Sequence, residues 1–164
     1  MIVIAPHHDA HYTRPMLRTL AATLILAALA TTATAAPRPD AQWRAINDVD
    51  NKPSAMIRVQ TAPDGSLRGW LTASLRGDDP NRVCDKCQPP HHNQRIIGME
   101  VLWDVVPDPA NPLHWTGGKI LDPDSGGIYS ADVVESPDGG TLTVKGYFIN
   151  PAIGRTQTWQ RAGR

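Results

Sequence analysis

Ten residues, VCDKCQPPHH from Val83 to His92, gather both cysteines of the chain and two of its six histidines. Thiols and imidazoles so close together could serve haem attachment, dithiol exchange, metal ligation or a disulfide. Haem attachment needs a histidine directly after the second cysteine, and Gln88 stands there. A thioredoxin-type dithiol needs its first cysteine at a helix N-terminus, which lowers the thiol pKa. Cys87 is followed by Gln88-Pro89-Pro90 and then the strand-like IIGMEV, which would form no such helix. A tetrahedral zinc site from Cys84, Cys87, His91 and His92 has the right ligand types. Adjacent histidines rarely aim both rings at one ion, however, and Pro89-Pro90 stiffens the spacer. The reading with most support is a Cys84–Cys87 disulfide, a local staple of about 2 kcal/mol, with the zinc site as the alternative.

Other chemistry is thin. Asp122-Pro-Asp124-Ser-Gly126-Gly127 has calcium-loop ingredients, but the chain turns straight into IYSADVV with no carboxylate before Asp132. A calcium loop wants six or more oxygens and a late bidentate Glu, so the stretch reads as a hairpin turn. There is no nucleophile elbow, no HExxH and no phosphate-binding glycine loop. No catalytic set and no cofactor are expected, and the chain reads as a non-enzyme.

The elements that would position such residues begin after a leader. Arg18, the apolar run Leu20–Ala30 and Ala33-Thr34-Ala35 form a basic region, a hydrophobic core and an Ala-x-Ala cleavage site. Residues 1–35 are therefore expected to be a signal peptide, too short in its apolar run to span a bilayer. Met16 stands directly before it, so residues 1–15 read as an over-called start, with Met1 and Met16 both open. The expected location is periplasmic or secreted, with no transmembrane anchor after cleavage. Cysteines tend to pair in that compartment. Residues 36–164 make one domain. Cleavage removes Asp9, Arg14 and Arg18 and leaves 14 basic and 15 acidic residues. So neutral a domain has no footprint for a phosphate backbone, so nucleic acid is not an expected partner.

Beyond Ala36 no useful helical period appears. Clusters rich in Pro, Gly, Asp and Asn at 48–53, 62–66, 77–93, 106–112, 122–127, 136–140 and 150–154 punctuate the chain. Pro presets φ, Asp bonds nearby amides and Gly takes positive φ, so these are turns. They leave eight strand segments, at 41–47, 54–61, 67–75, 95–105, 114–121, 127–135, 141–149 and 154–161. In 67–75, Leu67, Gly69, Leu71, Ala73 and Leu75 share a face, and Trp70 stands on the other with Arg68, Thr72 and Ser74. In 141–149, Leu142, Val144, Gly146 and Phe148 oppose Thr143, Lys145 and Tyr147. Sequential strands with one apolar face predict an all-β, eight-stranded antiparallel up-and-down barrel, because closure removes exposed edges.

The segments KPSAMIRV, LRGWLTASL, DPNRVCDKC, IIGMEVLW, WTGGKILDPDSGGIYSADV, LTVKGYF and GRTQTWQR occur in this order. From about Gln42 to Arg161 they resemble the bacterial domain-of-unknown-function family 2147 (DUF2147), small exported proteins. The resemblance implies a lipocalin-like (calycin-like) eight-stranded barrel with a cavity for small apolar ligands, and it carries no activity. Such barrels often close one end with a Trp near the first strand and an Arg from the last. Trp43 and Arg161 hold those places here, although Ala41 stands where a Gly is usual.

The expected ligand-binding residues are Trp70, Trp103, Trp115, Tyr129, Tyr147, Arg155, Gln157 and Trp159. Arg58, Glu100, Asp132 and Lys145 are further polar strand residues that could enter a cavity. Arg155, Gln157, Trp159 and Arg161 share one face of the last strand at a period of two. Facing inward, Arg155 and Gln157 would orient a polar head while Trp159 lies along an apolar body. Facing outward, the row would be a docking surface. Two functions follow. The first is a binder or carrier of a small lipophilic or amphipathic ligand; the second is an interaction module whose loops or last strand dock an envelope protein partner.

Overall fold

The structure is a computed structural model describing residues 36–163, and the expected leader at 1–35 lies outside the described residues. Eight strands follow one another: β1 (Ala41–Ile46), β2 (Pro53–Thr61), β3 (Leu67–Ser74), β4 (Glu100–Asp108), β5 (Asn111–Asp122), β6 (Gly127–Glu135), β7 (Thr141–Tyr147) and β8 (Gly154–Arg161). Each pairs antiparallel with the next, and β8 returns to β1, so the sheet closes into a barrel. Closure leaves no strand edge open to further pairing. Among the described residues there is no helix.

The period of two decides what enters the barrel. Trp43 and Ala45, Val133 and Glu135, and Leu142 and Val144 alternate with exposed or half-buried neighbours. Bulges then adjust the aim. A register shift at Met56/Ile57 skips Thr72 on β3, so that Ser74 lines the interior near the mouth. Asp104, at φ 55°, inserts a residue between the buried Leu102 and Val105. Opposite it, Gly118 lies so close to β4 that a Cβ there would stand 2.6 Å from the Val105 Cα. A side chain at 118 would push two hydrogen-bonded strands apart, so the position demands glycine.

One strand and one turn differ from the sequence expectation. Residues 95–99 are not strand; Ile96 and Met99 pack as loop, and β4 starts at Glu100 and runs to Asp108. Much of the expected turn at 106–112 is therefore strand. Pro107 is tolerated because the β4–β5 register is irregular at Pro107/Asp108, where no regular ladder donor is required.

In an up-and-down barrel the connections β1–β2, β3–β4, β5–β6 and β7–β8 emerge at one end and the other three at the opposite end. The two ends are built differently. Toward the second end, Trp43, Val59, Leu67, Leu102, Val105, Val133 and Leu142 are almost wholly buried and fill the interior. Toward the first end the interior is open.

Candidate ligand-binding site

The open half of the barrel is a cavity of about 450 Å³, within the range that small-molecule sites occupy. Its walls are apolar in depth, where Ala45, Ile57, Leu71, Ile120, Val144 and Trp159 contribute. Its mouth is charged, where Arg76, Asp78, Arg82, Asp124 and Arg155 stand.

The charges at the mouth are mutually paired. Arg155 sends two hydrogen bonds to the Asp48 carboxylate, at 3.0 and 2.6 Å, bridging the β8 start to the β1–β2 loop. That bonding from Arg155 holds the Asp48 carboxyl below its ordinary range. Asp124 in the β5–β6 turn accepts from Arg76 at 2.7 Å and Arg82 at 2.5 Å, both on the long β3–β4 connection. Burial opposes ionisation of Asp124, but Arg82 and Arg76 together outweigh it and hold its carboxyl low. These clamps tie four of the loops around the opening.

Of the eight expected ligand-binding residues, the structure brings five to this cavity: Tyr129, Tyr147, Arg155, Gln157 and Trp159. The β8 row points inward. Trp159 is buried, and its indole N–H donates to Gln157 Oε1 at 3.3 Å. Tyr129 stands at the wall with its ring edge-on to Phe148, centroids 4.7 Å apart. Tyr147 borders the opening while its hydroxyl donates to Asp132 at 3.3 Å, and burial chiefly raises its pKa.

Three tryptophans lie elsewhere. Trp70 stands on the outer wall between Arg58 and Arg68, whose guanidinium carbons lie 5.5 and 5.7 Å from its ring centroid. Its place on the polar face of 67–75 follows from the period of two. Trp103, next to the Asp104 bulge, packs against His91 of the β3–β4 connection, centroids 5.7 Å apart. Trp115 is buried in the filled half and donates to the Gly65 carbonyl at 3.3 Å. Arg58, Glu100, Asp132 and Lys145 are likewise absent from the cavity lining; Glu100 takes both hydrogen bonds of Arg68, and Asp132 accepts from Thr116.

The closed end is a polar knot around Trp43. The Arg161 guanidinium lies over the Trp43 ring, 4.4 Å from its centroid. It donates to the Gly139 carbonyl, to the Arg38 carbonyl and, at 3.1 Å, to Glu135. Glu135 is 2% exposed and also accepts from the Arg38 amide at 2.9 Å. The Trp43 indole donates to the Pro39 carbonyl at 2.8 Å. Glu135 escaped sequence reading; the available signal was its place two and four residues beyond the inward Val133 and Ala131.

Cys84 and Cys87 are joined by a disulfide, and both are buried. The disulfide loop seats on the β5–β6 turn: Lys86 Nζ donates to the Asp124 carbonyl at 3.1 Å, and Cys84 Sγ lies 3.4 Å from the Pro123 carbonyl oxygen. The fit leaves no room at Gly126, where an added Cβ would stand 2.2 Å from the Lys86 carbonyl oxygen. The zinc alternative loses its ligands to this arrangement. The sulfurs are spent on each other, His91 faces Trp103, and His92 Nδ1 meets the Cys87 carbonyl at 3.0 Å.

Comparison with known proteins places this geometry. A search of curated proteins finds no match. Among solved structures, the chain is similar to protein HP1028 from the human pathogen Helicobacter pylori, a member of the lipocalin family. The TM-score is 0.65 at 17% identity, over 77% of this chain and 84% of that one. At that identity the likeness shows a shared fold: a lipocalin-like barrel. Residues 42–161, which run from β1 to the end of β8, match the model of a family described as "Uncharacterized protein conserved in bacteria (DUF2147)", and the chain belongs to that family.

Proposed function

We propose that the protein is an exported binder or carrier of a small apolar or amphipathic molecule, held in the open half of its barrel. The observation that carries this reading is the asymmetry of the interior. A barrel serving only as a scaffold would be filled by side chains along its length, as protein interiors generally are. Here one half is filled, and the other keeps about 450 Å³ behind a mouth of paired charges. Phe148 and Ile153 continue the apolar lining out of that mouth and are 72% and 80% exposed, which suits the entry of an apolar guest.

Binding rather than catalysis fits the chemistry of the walls. The walls offer hydrocarbon, the Gln157 carboxamide and hydroxyls, and the arginines of the opening are engaged in ion pairs. The second reading, docking of an envelope protein partner, draws on Phe148, Ile149 and Ile153, whose β7–β8 loop exposes them to solvent. It draws nothing from the row Arg155-Gln157-Trp159 of the last strand, which lines the cavity.

The deciding experiment is extraction of the protein purified from its native envelope, with identification of any co-purifying molecule. It is paired with fluorescence titration by fatty acids, isoprenoids and steroids. Trp159 is the tryptophan that lines the cavity, so the carrier reading expects a signal that Trp159→Phe removes. An empty extract and a flat titration would transfer the function to the loops.

A further inference from the structure

The polar inventory of the cavity points to a ligand class, an inference that rests on the carrier reading. Trp159 settles the orientation of Gln157. An indole N–H can only donate, so the group it meets at 3.3 Å is the carboxamide oxygen. The amide NH₂ is left for the cavity, and no described protein acceptor meets it. The two serine hydroxyls of the wall give their protons to the protein, Ser54 to the Ala45 carbonyl and Ser74 to Asp78. The wall thus presents a donor, from an uncharged group, beside Trp159.

Charge argues in the same direction. Arg76, Arg82 and Arg155 at the mouth are all engaged by Asp124 and Asp48. Asp78 and Asp122 add two more carboxylates to the lining. A ligand anion would join four carboxylates facing three guanidiniums, and the rest of the wall offers hydrocarbon, an amide and hydroxyls, none of them cationic. Burying a charge without a charged partner is expensive, whereas an uncharged oxygen needs one donor.

We propose that the cavity selects an uncharged amphiphile with one accepting carbonyl oxygen, such as a neutral ester or ketone, over the ionised acid of the same chain length. Gln157 donates to that oxygen while the hydrocarbon lies along Trp159, Ile57 and Val144.

The test titrates the whole folded protein with methyl dodecanoate, dodecanoate and dodecane at neutral pH, following tryptophan fluorescence. The ester should bind about tenfold more tightly than the carboxylate, equivalent to one hydrogen bond correctly made. Gln157→Leu should lower ester affinity to that of dodecane measured on the same variant, with an unchanged circular dichroism spectrum showing that it is folded. Gln157→Glu, of nearly the same shape, should lose the ester as well. Carboxylate binding as tight as the ester's, or ester affinity unchanged in Gln157→Leu, overturns the selectivity while leaving the carrier standing. No binding by any of the three overturns the carrier and the selectivity together.

Discussion

Arg161 and Trp43 are cross-strand partners in the β1–β8 seam that closes the barrel, and the Arg161 guanidinium covers the Trp43 ring. The pair links the last strand to the first and brings a third residue with it. Glu135, at the end of β6, is almost wholly buried beneath that guanidinium. The closing strand therefore depends on a charge pair shielded from water.

Buried pairs respond unevenly to substitution. Removing one partner strands the other charge, at about 3–5 kcal/mol, while replacing both with apolar groups is often close to neutral. Arg161→Ala is expected to lower stability by that larger amount, read as a drop in urea midpoint with unchanged slope. Glu135→Leu combined with Arg161→Met should recover much of it. Arg161→Lys should fall between, because it keeps a charge but not the flat stack on Trp43. If Arg161→Ala costs under about 1 kcal/mol, the knot is no more than a surface ion pair.

The disulfide makes a separate prediction. Intact mass with and without reductant should differ by two hydrogen atoms. The Cys84→Ser/Cys87→Ser pair should lose about 2 kcal/mol, the entropy of so small a ring. Gly126→Ala should unseat the same loop without touching the sulfurs, since φ is +74° there and the Lys86 carbonyl occupies the space a Cβ needs. A loss of about 1–3 kcal/mol is expected from that overpacking. An unchanged midpoint in Gly126→Ala would mean that the loop is not held against the hairpin.

The mouth predicts an acid response. Asp124 and Asp48 have pKa values lowered from an ordinary 3.8 by their arginine partners. A lowered folded-state pKa gives stability that is present above the unfolded value and is lost as pH falls through the folded one. The contribution should therefore be level near neutrality and decline below about pH 4. Asp124→Asn should flatten part of that decline and lower stability at neutral pH by less than about 1 kcal/mol per pair, since the pairs are partly exposed. An acid limb as steep in Asp124→Asn as in the parent would remove Asp124 from the explanation.

How far the sequence carried this structure depends on which signal each residue left. The eight strands were legible because turn chemistry marks their ends; β3, β6 and β8 begin and end within a residue of their sequence bounds. The bounds of β4 were not, since its start depends on Ile96 and Met99 packing as loop and its end on Pro107 sitting at an irregular pair. Strand alternation placed Trp70 outside, but its bulk alone suggested a pocket.

The site was legible only in part. The inward row Arg155-Gln157-Trp159 followed from a period of two once the barrel face was known. The clamps Asp48–Arg155 and Asp124–Arg82 did not, because they join residues 107 and 42 positions apart across the mouth. The depth of the cavity was also hidden. It follows from where Trp43, Leu67 and Leu102 stop filling the barrel, and strand tilt and stagger set that boundary.

That boundary gives the last prediction. Ile120 is partly buried and borders the cavity, and its Cγ2 lies near Gly146 on β7, the next strand but one along the same wall. A larger side chain at 120 therefore has the cavity on one side of it and the Gly146 backbone on the other. Ile120→Trp should fill part of the cavity and lower ligand affinity at least about tenfold, with a change in stability below about 1.5 kcal/mol. The same substitution in the filled half, Val105→Trp, should destabilise strongly, because Val105 is 0% exposed and lies directly over Gly118. Thermal unfolding separates the two. If Ile120→Trp unfolds the protein as readily as Val105→Trp does, the first end of the barrel is as tightly packed as the second, and there is no room in it for a guest.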